Sequence, residues 1–137
     1  MRTSPPGACD CHVHVIGPAA RYPFDPARVY TPGDATEPAL EALHARLGLA
    51  RVVVVQPSVY GADNARMLDG LKRLGPRARG VAVIDDAATD GALEAMHRAG
   101  VRGVRVNIAT AGMNDPATAL HLLRWNAARV AALGWHV

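Results

Sequence analysis

Apolar residues recur along this chain in two alternating rhythms. Short apolar runs such as Val52 to Val55 alternate with stretches in which leucines return every three or four residues. The first rhythm marks strands buried on both faces, the second amphipathic helices. Cys9 to Ile16 reads as an opening strand, ended by Gly17-Pro18. Ala19 to Asp34 is Pro-rich and irregular, and an ordered loop of that length is expected to carry function. Thr36-Glu37-Pro38 then opens a helix whose stripe is Leu40, Leu43 and Leu47, closed by Gly48. Arg51 to Gln56 is the second strand. Asp63 caps a helix carrying Met67, Leu68, Leu71 and Leu74, stopped by Gly75-Pro76. Arg79 to Ile84 is the third strand, and Thr89 or Asp90 opens a helix with Leu93 and Met96 inward. Gly103 to Ile108 is the fourth strand. Asp115-Pro116 starts a longer helix with Leu120, Leu123, Ala127 and Val130 on one side, and Trp135-His136-Val137 begins a fifth strand.

Four strand–helix units in strict alternation predict an all-parallel α/β fold, either a doubly wound sheet or a (β/α)8 TIM barrel. A doubly wound domain fits within 137 residues, whereas a whole barrel needs about 250. The stop inside an apolar strand favours the barrel. The expectation is therefore a flexible segment, 1–8, followed by the N-terminal half of a barrel, 9–137, truncated at its C-terminus.

In either fold the strand C-termini hold the active site. Pleat alternation predicts Asp10, His12 and His14 on one face of the first strand, with Cys9, Cys11 and Val13 on the other. One strand histidine is most simply a hydrogen-bonded core residue. Two on one face need a user, either a metal ion or a polarised carbonyl. Cys9 and Cys11 face away from the pair and read as small buried apolar residues. Asp10, one pleat deeper, is placed to orient His12. Gln56 and Ser58 close the second strand and Arg105 and Asn107 the fourth, each pair spaced to share a face. Arg105 suits bidentate capture of a carboxylate better than a local ion pair. Gln56 and Ser58 are balanced between ligand contact and loop structure. Asp85 and Asp86 read as solvated or capping, and His44, His97 and His121 as surface or packing residues on helices. Gly61 to Asn64 leads into a helix start, a site that could receive an anion.

Charge and composition narrow the class. The net +3 comes almost wholly from arginine, with Lys72 the single lysine and six aromatics in all. Without a basic run or face, nucleic-acid binding has no support. No signal-like or membrane-length apolar stretch is present, and two cysteines form no disulfide framework, so a cytoplasmic protein is expected. No Gly-rich dinucleotide or Walker pattern occurs. Oligomeric state has no sequence signature here.

Asp10 to Pro18, Arg21-Tyr22-Pro23-Phe24, Tyr30-Thr31-Pro32, Gln56 to Asn64, Gly100 to Asn107 and Leu133 to Val137 occur in the order found in one group of enzymes. Together they resemble the amidohydrolase superfamily, specifically the hydrolases similar to 2-pyrone-4,6-dicarboxylate lactonase, over nearly the whole chain. The resemblance implies a barrel about twice this length. It also implies a further histidine and a last-strand aspartate base, both from the second half. Lactonase-like members work without a tightly bound metal. Histidines (here His12 and His14) polarise the lactone carbonyl, and arginines hold carboxylates. Tyr30, Ser58 and Arg105 fall where such enzymes contact substrate. Other relatives use the His-x-His, here His12 and His14, to bind one zinc. The pyrone-lactonase pattern has a cation shortly after the Arg105 position, where residues 109–114 here have none. That shifts the expected substrate toward a differently charged lactone, a muconolactone or a sugar-acid lactone. The alternatives are a zinc-dependent hydrolase or decarboxylase, and a non-catalytic half barrel whose open strand edges bind a partner. Because the base lies outside these residues, the segment alone is expected to be inactive.

Overall fold

A computed structural model describes residues 4–108 and 115–137. Its elements run β1 (Cys9–Val13), α1 (Glu37–Leu47), β2 (Arg51–Val55), α2 (Ala65–Leu74), β3 (Ala78–Ala82), α3 (Asp90–Arg98), β4 (Val101–Val104) and α4 (Pro116–Val130). The four strands form one parallel sheet in the order β1-β2-β3-β4. A doubly wound sheet reverses direction at a switch point, and this order never does. Right-handed crossovers that always step the same way place every helix on one face. A fifth strand begins where His136 bridges Gly103 in parallel. The chain is thus an α/β fold of the (β/α)8 barrel type, carrying four units and the start of the fifth strand.

The core lies between sheet and helices. Val52, Val54, Ala78, Ala82, Val101 and Val104 pack against Met67, Leu71, Leu74, Leu93, Val130 and Trp135. Burial of a side chain of that size contributes about 1.5–3 kcal/mol. The opposite face, which a closed barrel turns into its lumen, is where the polar strand ends collect. A second cluster, Ile16, Tyr22, Val59 and Tyr60, lies beneath the long loop after β1. That loop is pinned by a bridge from Ile16 to Ala35 and by the Gly17 N–H donating to the Tyr60 hydroxyl at 2.8 Å. Gly17 has φ 75°, a conformation that favours glycine, and a Cβ there would have to displace the Asp34 carboxylate.

Three expectations are corrected. First, β1 is not a regular pleat. Asp10 pairs with Val52 and Val13 with Val54, so Cys11 and His12 together oppose Val53 in a β-bulge. Asp10 and Val13 therefore share the helix side, although three residues apart, and Asp10 does not line up beside His12 and His14. Second, Cys11 is exposed and Cys9 only half-buried, because the bulge puts Asp10 and not the cysteines on the side that meets the helices. Third, Leu43, Leu47, Leu120 and Leu123 are all more than 40% exposed. They lie on α1 and α4, the outermost helices of the row, and α1 buries Glu37 and His44 instead. His44, read as a surface or packing residue, is of the packing kind: it is 1% exposed and bonded to Asp10.

Smaller differences concern the ends. The fourth strand is Val101–Val104, so Arg105 and Asn107 lie just past it, in the connecting segment. The helix after β2 takes Asn64 as its first flanking residue, while Asp63 accepts from the Ala65 N–H at 3.0 Å. Thr89 does cap α3, accepting from the Ala92 N–H. Thr36, Pro38 and Gly48 bound α1 as expected, with Gly48 in the left-handed region.

Candidate active site

The last carbonyls of β2 organise the lumen end. His14 Nδ1 lies 2.7 Å from the Val55 carbonyl oxygen, and Arg105 Nη1 donates to the next one, Gln56, at 3.1 Å. The chain leaves β2 at the buried Pro57, so these two acceptors are fixed by the sheet itself. Arg105 reaches the Gln56 carbonyl because its own N–H continues the ladder, donating to the Ala82 carbonyl at 2.8 Å. Its Nη2 also donates to Asn107 Oδ1 at 3.3 Å. A guanidinium has five donors, so several remain for a ligand. His12 packs edge-on against His14, ring centroids 5.2 Å apart. The cluster of His12, His14, Arg105 and Asn107 expected from the sequence is thus brought together.

Hydrogen-bond chemistry divides the two histidines. A carbonyl only accepts, so His14 must carry its proton on Nδ1. Burial holds the His14 pKa below its ordinary 6.5, and the charges of His12 and Arg105 push the same way against the Val55 bond. The ring is therefore neutral near pH 7, with a bare lone pair on Nε2. His14 is an acceptor or a ligand on that side, not a donor to a carbonyl. His12 is exposed and carries no such constraint.

The other expected residues fall differently. Ser58 is half-buried at the head of a short turn, Ser58–Tyr60, and its hydroxyl is uncommitted among the described residues. Tyr30 stands on the long loop, 43% exposed. The Gln56 side chain is fully buried and points into the following loop, donating to the Gly61 and Asp63 carbonyls at 3.3 and 2.7 Å. It braces that loop, and its backbone carbonyl alone joins the cluster. Gly61 to Asn64 is closed in the same way. Asn64, 5% exposed, donates to the Val83 carbonyl and accepts its N–H, tying α2 to the end of β3. The segment 109–114, where the missing cation was noted, lies outside the described residues.

A cavity of about 740 Å³ is lined by Phe24, Asp25, Tyr60, Asp63, Asp85 and Met96, and no side chain of the cluster borders it. Its three carboxylates each accept an N–H two residues ahead, the geometry of tight turns. An acidic wall repels anions, so this cavity is not the place for an anionic substrate. For a metal, His12 and the lone pair of His14 offer two donors. A catalytic zinc takes three protein ligands, and no group of three or more His, Cys, Asp or Glu that could hold an ion occurs among the described residues. These residues alone do not complete a metal site. No helix among the described residues is long and apolar enough to cross a membrane.

A parallel barrel segment with a His-x-His pair and an arginine at the strand C-termini defines a class, the barrel hydrolases. The chain belongs to the Amidohydrolase family, whose model matches residues 9–137. It is 47% identical over 133 residues to a 2-pyrone-4,6-dicarboxylate hydrolase of Comamonas testosteroni, covering 97% of this chain and 43% of the relative. A 4-sulfomuconolactone hydrolase of Rhizobium radiobacter is 41% identical over 101 residues, covering 74% of this chain and 34% of the relative. Among solved structures, the apo form of an Agrobacterium tumefaciens protein superposes with TM-score 0.83 at 27% identity, over 97% of this chain and 47% of that one. The chain thus spans less than half the length of the relatives it matches.

Proposed function

We propose that the protein carrying this segment hydrolyses a small lactone bearing an anionic group. Water adds to the lactone carbonyl, the ring C–O bond breaks, and the product is a hydroxyl and a carboxylate with one proton released. The observation that carries the reading is the convergence of His14 and Arg105 on adjacent carbonyls, Val55 and Gln56. It sets a cation and a lone-pair acceptor side by side at the strand ends. Arg105 binds the anionic group through its remaining donors. His12 donates to the lactone carbonyl oxygen. His14, proton on Nδ1, accepts from an O–H of the attacking water or the departing hydroxyl. Ser58 and Asn107 complete the polar wall, and Tyr30 closes on the substrate from the loop. The resemblance assigns the base that deprotonates water to a last-strand aspartate outside these 137 residues.

The relatives support lactones as the class and leave the anion open, since one is named for a dicarboxylate and the other for a sulfonate. The uncharged stretch 109–114 favours a lactone with one anionic group over the pyrone dicarboxylate. The free thiols of Cys9 and Cys11 suit a reducing, cytoplasmic setting. The test is a proton-release assay of the full chain against 2-pyrone-4,6-dicarboxylate, muconolactone, 4-sulfomuconolactone and a neutral lactone of equal size. Opening of at least one anionic lactone, with the neutral one poor, is expected; equal rates on the neutral lactone, or none on any, would refute the proposal. The lone pair on His14 also suits a zinc-dependent hydrolase or decarboxylase, and activity lost to chelation and restored by zinc selects that reading.

A further inference from the structure

On the far side of β1 from the lumen, three polar side chains from three elements close on one another beneath α1. His44, 1% exposed, sets Nε2 3.0 Å from Asp10 Oδ2, and Arg77 Nη1 lies 3.3 Å from its Nδ1. Arginine only donates, so Nδ1 accepts and the proton facing Asp10 is on Nε2. The direction of the chain is thereby set: Arg77 donates to His44, and His44 donates to Asp10. The other Asp10 oxygen meets the His12 backbone N–H at 3.5 Å, a long approach.

The stronger tie is the register. Asp10 is the last regular pairing before the bulge, opposite Val52, and Val13 is the first after it, opposite Val54. In an unbulged strand ending on the same His14, Asp10 would lie on the lumen face beside the two imidazoles. Capture by His44 holds it on the helix face, and the extra residue of the bulge is what then lets His12 and His14 still share the lumen. A bulge next to a functional cluster commonly re-aims a side chain.

We infer that His44 is a positioning residue: through Asp10 it selects the bulged register of β1 and so sets where His12 stands relative to His14. This rests on the lactonase reading for its catalytic consequence and on the strand geometry alone for its structural one. His44→Leu and His44→Gln variants of the full chain test it, since glutamine supplies an N–H near the position of Nε2. Crystal structures are expected to show Asp10 released from the helix face in the Leu variant and the His12 ring no longer packed edge-on against His14. The Gln variant restores both. Lactone turnover is expected to fall about 10- to 100-fold in the Leu variant, with KM changed less than about threefold and most of kcat recovered by Gln. An unchanged His12–His14 geometry in the Leu variant overturns the inference, whether or not any lactone is opened. A Gln variant as poor as Leu overturns it too. Because the geometric readout needs no turnover, failure of the lactonase reading is told apart from failure of this one. If the Leu variant does not fold, nitrogen-15 spectra of the wild-type imidazoles decide, because a proton on Nδ1 of His44 breaks the chain at Arg77.

Discussion

The two sides of β1 use the same residue types to opposite ends. On the helix side, His44 is held between Asp10 and Arg77, and Glu37 and Arg66 form a bidentate pair at 2.7 and 2.9 Å. On the lumen side, His12, His14 and Arg105 touch the protein through some of their polar atoms and leave others facing the void. Charge and burial alone do not separate the two groups, since His14 is half-buried too. The difference is where the spare valence points: on the helix side it is the Arg66 Nε and Arg77 Nη2, buried without a hydrogen-bond partner among the described residues, whereas on the lumen side donors and a lone pair remain open to a ligand.

The largest test of that contrast is the closed side. Arg66 and Glu37 are 4% and 6% exposed, so Glu37→Leu strands a buried cation and is expected to cost about 3–5 kcal/mol, read by denaturant unfolding. The same pair has a pH signature. Its bond to Arg66 holds Glu37 below its ordinary 4.5, so the unfolded chain binds the proton more tightly. The pair's stabilisation is present above about pH 4.5 and is lost as pH falls through the lower, folded value. Glu37→Gln is expected to flatten that acid limb.

The open side is expected to behave the other way. Arg105→Met should lower kcat/KM for an anionic lactone by the worth of a charged hydrogen bond, about 1.5–3 kcal/mol or 10- to 150-fold, with unfolding little changed. A comparable loss of stability without loss of activity would move Arg105 into the closed class. Gln56 sharpens the boundary, since it sits at the lumen end and yet braces a loop. Gln56→Leu leaves the Gly61 and Asp63 carbonyls unpaired and is expected to cost about 1–3 kcal/mol of stability with KM unaltered. The smallest effect belongs to Ser58→Ala, about 0.5–1.5 kcal/mol in KM and none in unfolding, as for one neutral hydrogen bond.

Much of this was legible in the chain. The βα rhythm, the boundaries of α1 from Thr36 to Gly48, and the gathering of His12, His14 and Arg105 at one end follow from period, caps and spacing. What escaped was whatever depends on a partner distant in sequence. Gln56 and Asn64 look like site residues in sequence, because nothing in a local window shows that their amides reach loop and strand carbonyls. The leucines of α1 and α4 look inward by period, yet only neighbouring helices decide which stripe is covered.

β1 states the division most sharply. Alternation by itself determined that His12 and His14 share a face, since a separation of two survives in the bulged strand downstream. It could not place Asp10, because a single extra residue between pairings reverses every face upstream of it. The face Asp10 takes is set by a buried helix histidine 34 positions away. Local periodicity is a property of the backbone and is written in the sequence; register and hydrogen-bond closure are properties of contacts, and exist only once the chain has folded.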